Sequence, residues 1–134
     1  MKQSLDENSI RELVIYRLQR SDETLKEAKL MLQEGFMNGA MNRLYYAAYY
    51  AVIALLLENG ITAQTHAGVK QMLGLHFVLT GKLSVQTSNI YATLFEKRHS
   101  SDYDDFAFYD EEMLNALFPQ VIEFVGEIKK LIQM

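Results

Sequence analysis

The segment Met37–Asn59 constrains this chain most, because its apolar residues surround the helical axis instead of forming one stripe. A helix that is apolar on every side must be covered on most of them. Its longest apolar run, Leu44 to Leu57, is 14 residues long and contains Tyr45, Tyr46, Tyr49 and Tyr50. A bilayer-spanning helix needs about 20 apolar residues, so this run is expected to be the central helix of a bundle, with no membrane span. Ala40, Ala47, Ala48, Ala51 and Ala54 are small and would let neighbouring helices approach closely.

The remaining sequence supplies helices to cover it. Ile10, Val14, Leu18, Ser21, Leu25, Ala28 and Leu32 recur in steps of three and four, which predicts a first helix from about Asn8 to Glu34. Gly35 is its natural stop, and Ser21 could cap a second segment if the helix breaks there. Asn59-Gly60 ends the second helix. Thr65 is a good N-cap for a third, which runs to about Leu79 and is weakened by Gly74 by roughly 1 kcal/mol relative to Ala. A fourth is expected from about Ser84 to His99, followed by a polar, acidic loop over Ser100 to Tyr109. The fifth begins near Asp110. Its seam Leu114, Leu117, Val121, Phe124, Ile128 and Leu131 steps 3, 4, 3, 4, 3. Pro119 lies inside this seam and should kink the helix without ending it.

The expected architecture is therefore all-α, an up-and-down bundle of four to five helices in a single domain over residues 1–134. A 49% apolar content, one proline and no low-complexity stretch agree with a packed core. The chain has no cysteine, which removes disulfides, thiolate metal sites and a cysteine nucleophile. The N-terminal stretch has one early lysine and no apolar run, so no signal peptide and a cytoplasmic location are expected. The net charge of −4 lacks the basic excess of a sequence-independent nucleic-acid binder, which leaves only a local basic site.

Three features could carry chemistry. Asn42-Arg43-Leu44-Tyr45-Tyr46-Ala47-Ala48-Tyr49-Tyr50 brings four hydroxyls into an apolar helix. They form either a stacking platform for a base or core packing with hydroxyls at the rim. Asn42 and Arg43 form a polar network or part of a site. His66, in the first turn of the third helix, lies at the positive end of the dipole, which disfavours its charged form. It either hydrogen-bonds in a site as a neutral ring or braces the preceding loop.

The third feature is Glu96-Lys97-Arg98-His99-Ser100-Ser101-Asp102-Tyr103. Glu96 and His99 have the spacing of a di-iron bundle ligand pair, but such a site needs two copies and two further glutamates. Asp102, Asp104 and Asp105 lack the glycine and glutamate of an EF-hand, so no metal site is expected. Arg98 and Asp102 share a face if the helix continues. The pair is then an exposed ion pair worth about 0.3–0.5 kcal/mol, or Arg98 is a phosphate-binding guanidinium held in place by Asp102.

Four motifs follow in order: Asn42-Arg43-x-Tyr45-Tyr46-Ala47-Ala48, Thr65-His66-x-Gly68-Val69, Phe77-Val78-x-Thr80-Gly81-Lys82-Leu83, and Arg98-x-x-x-Asp102-Tyr103-Asp104. Together, over about Leu25 to Phe124, they resemble the HEPN domain in its short stand-alone bacterial and archaeal form. The resemblance implies a bundle of four or five helices that dimerises around a groove. It also implies a minimal nucleotidyltransferase partner, in a toxin–antitoxin or nucleotide-handling pair. Many members are metal-independent RNases, whose motif is an arginine followed four to six residues later by a histidine.

This chain departs from that motif. Five residues beyond Arg98 stands Tyr103, and His99 directly follows Arg98 and would point about 100° away on a helix. A tyrosine with a pKa of about 10 is only about 0.1% ionised at neutral pH, a poor general base. The tyrosine that active members carry two residues beyond the histidine is here Asp105.

Three functions follow. The first is a dimeric partner of a minimal nucleotidyltransferase that holds a nucleotide through Asn42, Arg43, Tyr46, His66 and Arg98. The second is an RNase toxin centred on Arg98, with Asp102, Tyr103 or His99 assisting. The third is a ligand-free structural or regulatory oligomer. No cofactor is expected in any of them.

Overall fold

The computed structural model describes residues 6–103 and 108–132, with residues 99–103 described by their backbone. Five α-helices follow in order: α1 (Glu7–Gln33), α2 (Met37–Glu58), α3 (His66–Leu73), α4 (Val85–Tyr103) and α5 (Glu111–Leu131), with a π-helical turn at Gly74–Val78. No strand occurs among the described residues, and the all-α bundle is as expected.

α2 is the hub and packs against α1, α3, α4 and α5. Eleven of its 22 residues are buried, on every side of the axis. Leu44 and Leu55 are fully buried, and each such side chain contributes on the order of 2–3 kcal/mol. Ala47, Ala48, Ala51 and Ala54 are equally inaccessible and bring the neighbouring backbones close. By length and hydropathy α2 could cross a membrane, which its 14-residue apolar run did not suggest. Its most apolar window is 61% buried within the bundle, and that burial accounts for its hydropathy.

The antiparallel arrangement of α1 and α2 is visible in three cross-links: Arg17 to Ile53, Ser21 to Ala47, and Glu27 to Arg43. Numbers rise along one helix as they fall along the other. Gly39 sits at the tight end of this pair, where a Cβ would meet Met31 Sδ at 2.9 Å. α1 runs unbroken through Ser21. The Ser21 hydroxyl caps nothing and donates to the Ala47 carbonyl at 2.6 Å, so a buried polar group is satisfied by the neighbouring helix.

The ends follow elementary capping chemistry. Asp6, Thr65 and Asp110 each accept a backbone N–H three residues on, and Ser84 Oγ accepts from Thr87 N. Gly35 and Gly60 take φ of +86° and +70° just beyond α1 and α2, a conformation that disfavours any side chain. The third helix differs from expectation, because at Gly74 it widens into a π turn closed by Leu79 N to Gly74 O at 2.9 Å. The turn buries Phe77 and leaves Leu75 and Leu79 exposed. α5 continues through Pro119, and Leu114, Leu117, Val121, Phe124 and Ile128 of its seam are buried.

α4 corrects the sequence reading. Ser100 to Tyr103, expected to be loop, are helical, so α4 ends four residues beyond His99. Residues 104–107 of the expected loop lie outside the described residues.

A guanidinium-tyrosine face

The four tyrosines of α2 divide into two kinds. Tyr45 has no exposed surface and belongs to the core. Its ring stacks on Tyr91 at 5.9 Å, and Tyr91 stacks in turn on Phe124 of α5 at 5.6 Å. Tyr46, Tyr49 and Tyr50 are half-buried and form the rim, with ring centroids 5.9–6.3 Å apart. Core packing thus describes Tyr45, and an accessible platform describes the other three.

Arginines surround this platform. Arg98 Nη2, from α4, donates to the Tyr46 hydroxyl at 3.3 Å, and its Cζ lies 5.5 and 5.8 Å from the Tyr45 and Tyr46 ring centroids. Arg43 Cζ lies 5.2 Å from the Tyr46 centroid. The Arg43 guanidinium donates to Asn42 Oδ1 at 2.7 and 3.1 Å and approaches Glu27 Oε1 at 3.3 Å. Asn42 therefore orients Arg43 through a polar network. Arg20 of α1 sits 5.3 Å from the Tyr50 centroid and pairs with Glu23 at 2.7 Å. Stacking on aromatic faces orients a guanidinium while leaving its edge N–H groups able to meet phosphate oxygens.

His66 enters from the first turn of α3, where the Thr65 cap fixes it. Its Nδ1 is 2.7 Å from the Tyr45 hydroxyl, and its ring stacks on Tyr49 at 4.5 Å and meets Tyr46 edge-on at 5.8 Å. It braces the start of α3 against α2 and also borders the face that carries Arg98.

Burial sets the tyrosine chemistry. The Tyr45 hydroxyl is pushed up to about 12 by desolvation, partly offset by Tyr91 and Arg98. Tyr91 is also raised well above the ordinary tyrosine value, first by burial. Its hydroxyl interacts with that of Tyr45 but lacks a well-directed hydrogen bond. Tyr49 is raised by burial, against the pull of Arg17. These three are hydroxyls at neutral pH, suited to hydrogen bonding and unsuited to act as bases.

Of the residues singled out from sequence, the fold brings together Asn42, Arg43, Tyr46, His66 and Arg98. Asp102 lies one helical turn beyond Arg98 on the α4 backbone, and Tyr103 follows it. The side chains of His99, Asp102 and Tyr103 are outside the described residues, as are Asp104 and Asp105. No three His, Asp or Glu side chains converge on a common point among the described residues. Sequence reasoning missed Arg17 and Arg20. Their only signal was a spacing of three on α1, which gains meaning once that helix is laid antiparallel on α2. It also missed Tyr91, which backs Tyr45 from α4.

The class defined here is an all-α bundle that displays arginines on a tyrosine-rich central helix. The family is shown directly: the HEPN domain model matches residues 14–131, and the chain belongs to the HEPN domain family. A UPF0332 protein of Thermotoga maritima is 34% identical, over 94% of this chain and 96% of that protein. A protein of Methanocaldococcus jannaschii that bears the name "Putative toxin" is 30% identical, over 92% of each. The crystal structure of an archaeal HEPN homologue has the same fold, with a TM-score of 0.72 at 19% identity, covering 90% of this chain and 98% of that one. The chain is thus a HEPN protein with toxin-named relatives.

Proposed function

We propose that this chain is the HEPN half of a toxin–antitoxin-type pair. It works as a homodimer beside a minimal nucleotidyltransferase, and its Arg98–Tyr46–Arg43 face binds the phosphate of a nucleotide or of RNA. One observation carries this reading: two guanidiniums from different helices converge on one tyrosine ring in a chain of net charge −4. Overall charge would repel a polyanion, so affinity must come from this local cluster. Few phosphate contacts imply a shallow salt dependence, with a log–log slope of about −0.7 per phosphate on a single strand. Titration of the protein with nucleotides and with single-stranded RNA, with and without the nucleotidyltransferase, tests the reading. Absence of binding in every combination, or binding indifferent to Arg98→Ala, would overturn it.

A second reading, a metal-independent RNase, is favoured by the position of His66 against the same Tyr46 ring that Arg98 contacts. In such a cleavage the RNA 2′-hydroxyl attacks the adjacent phosphorus as the bond to the 5′-oxygen breaks. The products are a 2′,3′-cyclic phosphate and a 5′-hydroxyl. Arg98 would stabilise the added phosphoryl charge, and His66 would take the 2′ proton or supply the 5′ one, the role left open by Tyr103. Expression should then arrest growth, with relief by Arg98→Ala and by His66→Ala. Equal growth of cells carrying the wild type and either variant would remove the RNase reading and leave the binding one.

A further inference from the structure

A cavity of about 280 Å³ opens where α1, the second half of α2, the loop after it and α3 meet. Its wall is apolar at Ile53, Leu57, Ile61 and Val69 and polar at Arg17 and Tyr49. Arg17 is unlike its neighbours on α1 and α2. Arg20 and Arg43 each have a glutamate. Arg17 is half-buried, gives Nη1 to the Ile53 carbonyl at 3.2 Å, and has no carboxylate within ion-pair distance among the described residues. A guanidinium has five N–H donors, and a partly desolvated one gains most from an anion. Burial lowers its pKa from the ordinary arginine value, in keeping with a cation short of compensating charge.

Tyr49 ties this cavity to the arginine face. Tyr49 lines the cavity, and its ring stacks on His66. Its hydroxyl feels both Arg17 and Arg98. The cavity, at about 280 Å³, lies just below the roughly 300–1,000 Å³ of drug-sized sites, on the scale of a single nucleotide unit.

We propose that this cavity is a nucleotide subsite, with a phosphate on Arg17 and a base against Ile53, Leu57 and Ile61 beside Tyr49. It rests on the reading of the Arg98 face as a phosphate-binding surface. The ligand is a single nucleotide unit, either free or part of an RNA strand whose neighbouring phosphate lies at Arg98.

The test uses the full chain, with AMP, adenosine and a short fluorescein-labelled single-stranded RNA as probes. Two variants, Arg17→Gln and Ala63→Phe, remove the cation and fill the cavity; both are checked for an unchanged melting temperature. AMP should bind the wild type and bind both variants about tenfold more weakly, equivalent to about 1.4 kcal/mol. Adenosine should bind the wild type about as weakly as AMP binds Arg17→Gln. If RNA weakens in parallel with AMP, the unit belongs to a strand; if only AMP weakens, the subsite takes a free nucleotide. Wild-type affinity of both variants for both ligands, or no binding of either ligand to the wild type, overturns the subsite. RNA binding lost in Arg98→Ala, with both AMP and RNA binding kept in both cavity variants, overturns the subsite and spares the Arg98 reading. RNA binding kept in Arg98→Ala but weakened in both cavity variants overturns the Arg98 reading and leaves the cavity as the site that holds the strand.

Discussion

Arg98 of α4 reaches 52 residues back along the chain to donate a hydrogen bond to the Tyr46 hydroxyl, and the same ring supports Arg43 from the side. This contact ties the functional reading of the fourth helix to the aromatic platform of the second. Removing the hydroxyl with Tyr46→Phe keeps the ring and both stacking contacts. The expected result is a threefold to tenfold loss of RNA or nucleotide affinity, about 0.7–1.4 kcal/mol, from freeing Arg98. Titration of the variant beside the wild type checks it. Arg98→Lys should fall between wild type and Arg98→Ala, because a lysine keeps the charge and loses the planar fork.

The Ser21–Ala47 bond pins the α1–α2 pair at its middle, in a fully buried place. Ser21→Ala should cost about 1 kcal/mol, the ordinary net worth of such a bond, because the Ala47 carbonyl lies within α2. Urea unfolding would show a lower midpoint with an unchanged slope.

Ala51 is fully buried within α2. Ala51→Leu should overpack the core and destabilise by about 1–3 kcal/mol, or prevent folding. An unchanged urea midpoint would show that the helices do not meet there as tightly as described.

Tyr45 gives a stability change at alkaline pH with a defined sign. Its folded pKa, about 12, lies above the unfolded value near 10. The folded state therefore holds its proton over a window where the unfolded state loses it. Stability is whole below pH 10 and falls as pH rises from about 10 to 12. Tyr49 and Tyr91 shift in the same direction and add to the effect. Tyr45→Phe should flatten this fall, read as melting temperature against pH.

Thr65 positions His66, because its hydroxyl accepts Gly68 N at 2.9 Å and fixes the first turn of α3. Thr65→Ala should cost about 1 kcal/mol of stability. If the RNase reading holds, it should also lower cleavage by more than that loss explains, measured well below the melting temperature.

Much of this was legible in the sequence, for identifiable reasons. α2 was legible because no other segment is apolar around its whole axis, and the α5 seam because its period is regular through Pro119. The cap at Thr65, the start of the fifth helix near Asp110 and the stops at Gly35 and Gly60 were legible because each residue type answers a local backbone demand. The extension of α4 to Tyr103 was not legible. Ser100 to Tyr103 has no apolar period by which a sequence announces a helix. Ser21 read as a break because its role depends on Ala47 of another helix. Asn42, Arg43, Tyr46, His66 and Arg98 could each be nominated locally. That they share one face depends on how α3 and α4 pack on α2, and that Arg17 borders it depends on the antiparallel register of α1 on α2; no local pattern encodes either.

The most direct measurement is fluorescence anisotropy of a short labelled single-stranded RNA titrated with wild type and with Arg98→Ala, at low salt, with folding checked by circular dichroism. The prediction is saturable binding by the wild type and at least a tenfold weaker curve for the variant, equivalent to about 1.4 kcal/mol, with identical helical spectra. Two superimposable curves, or no binding by the wild type, would contradict a phosphate-binding role for the Arg98–Tyr46–Arg43 face.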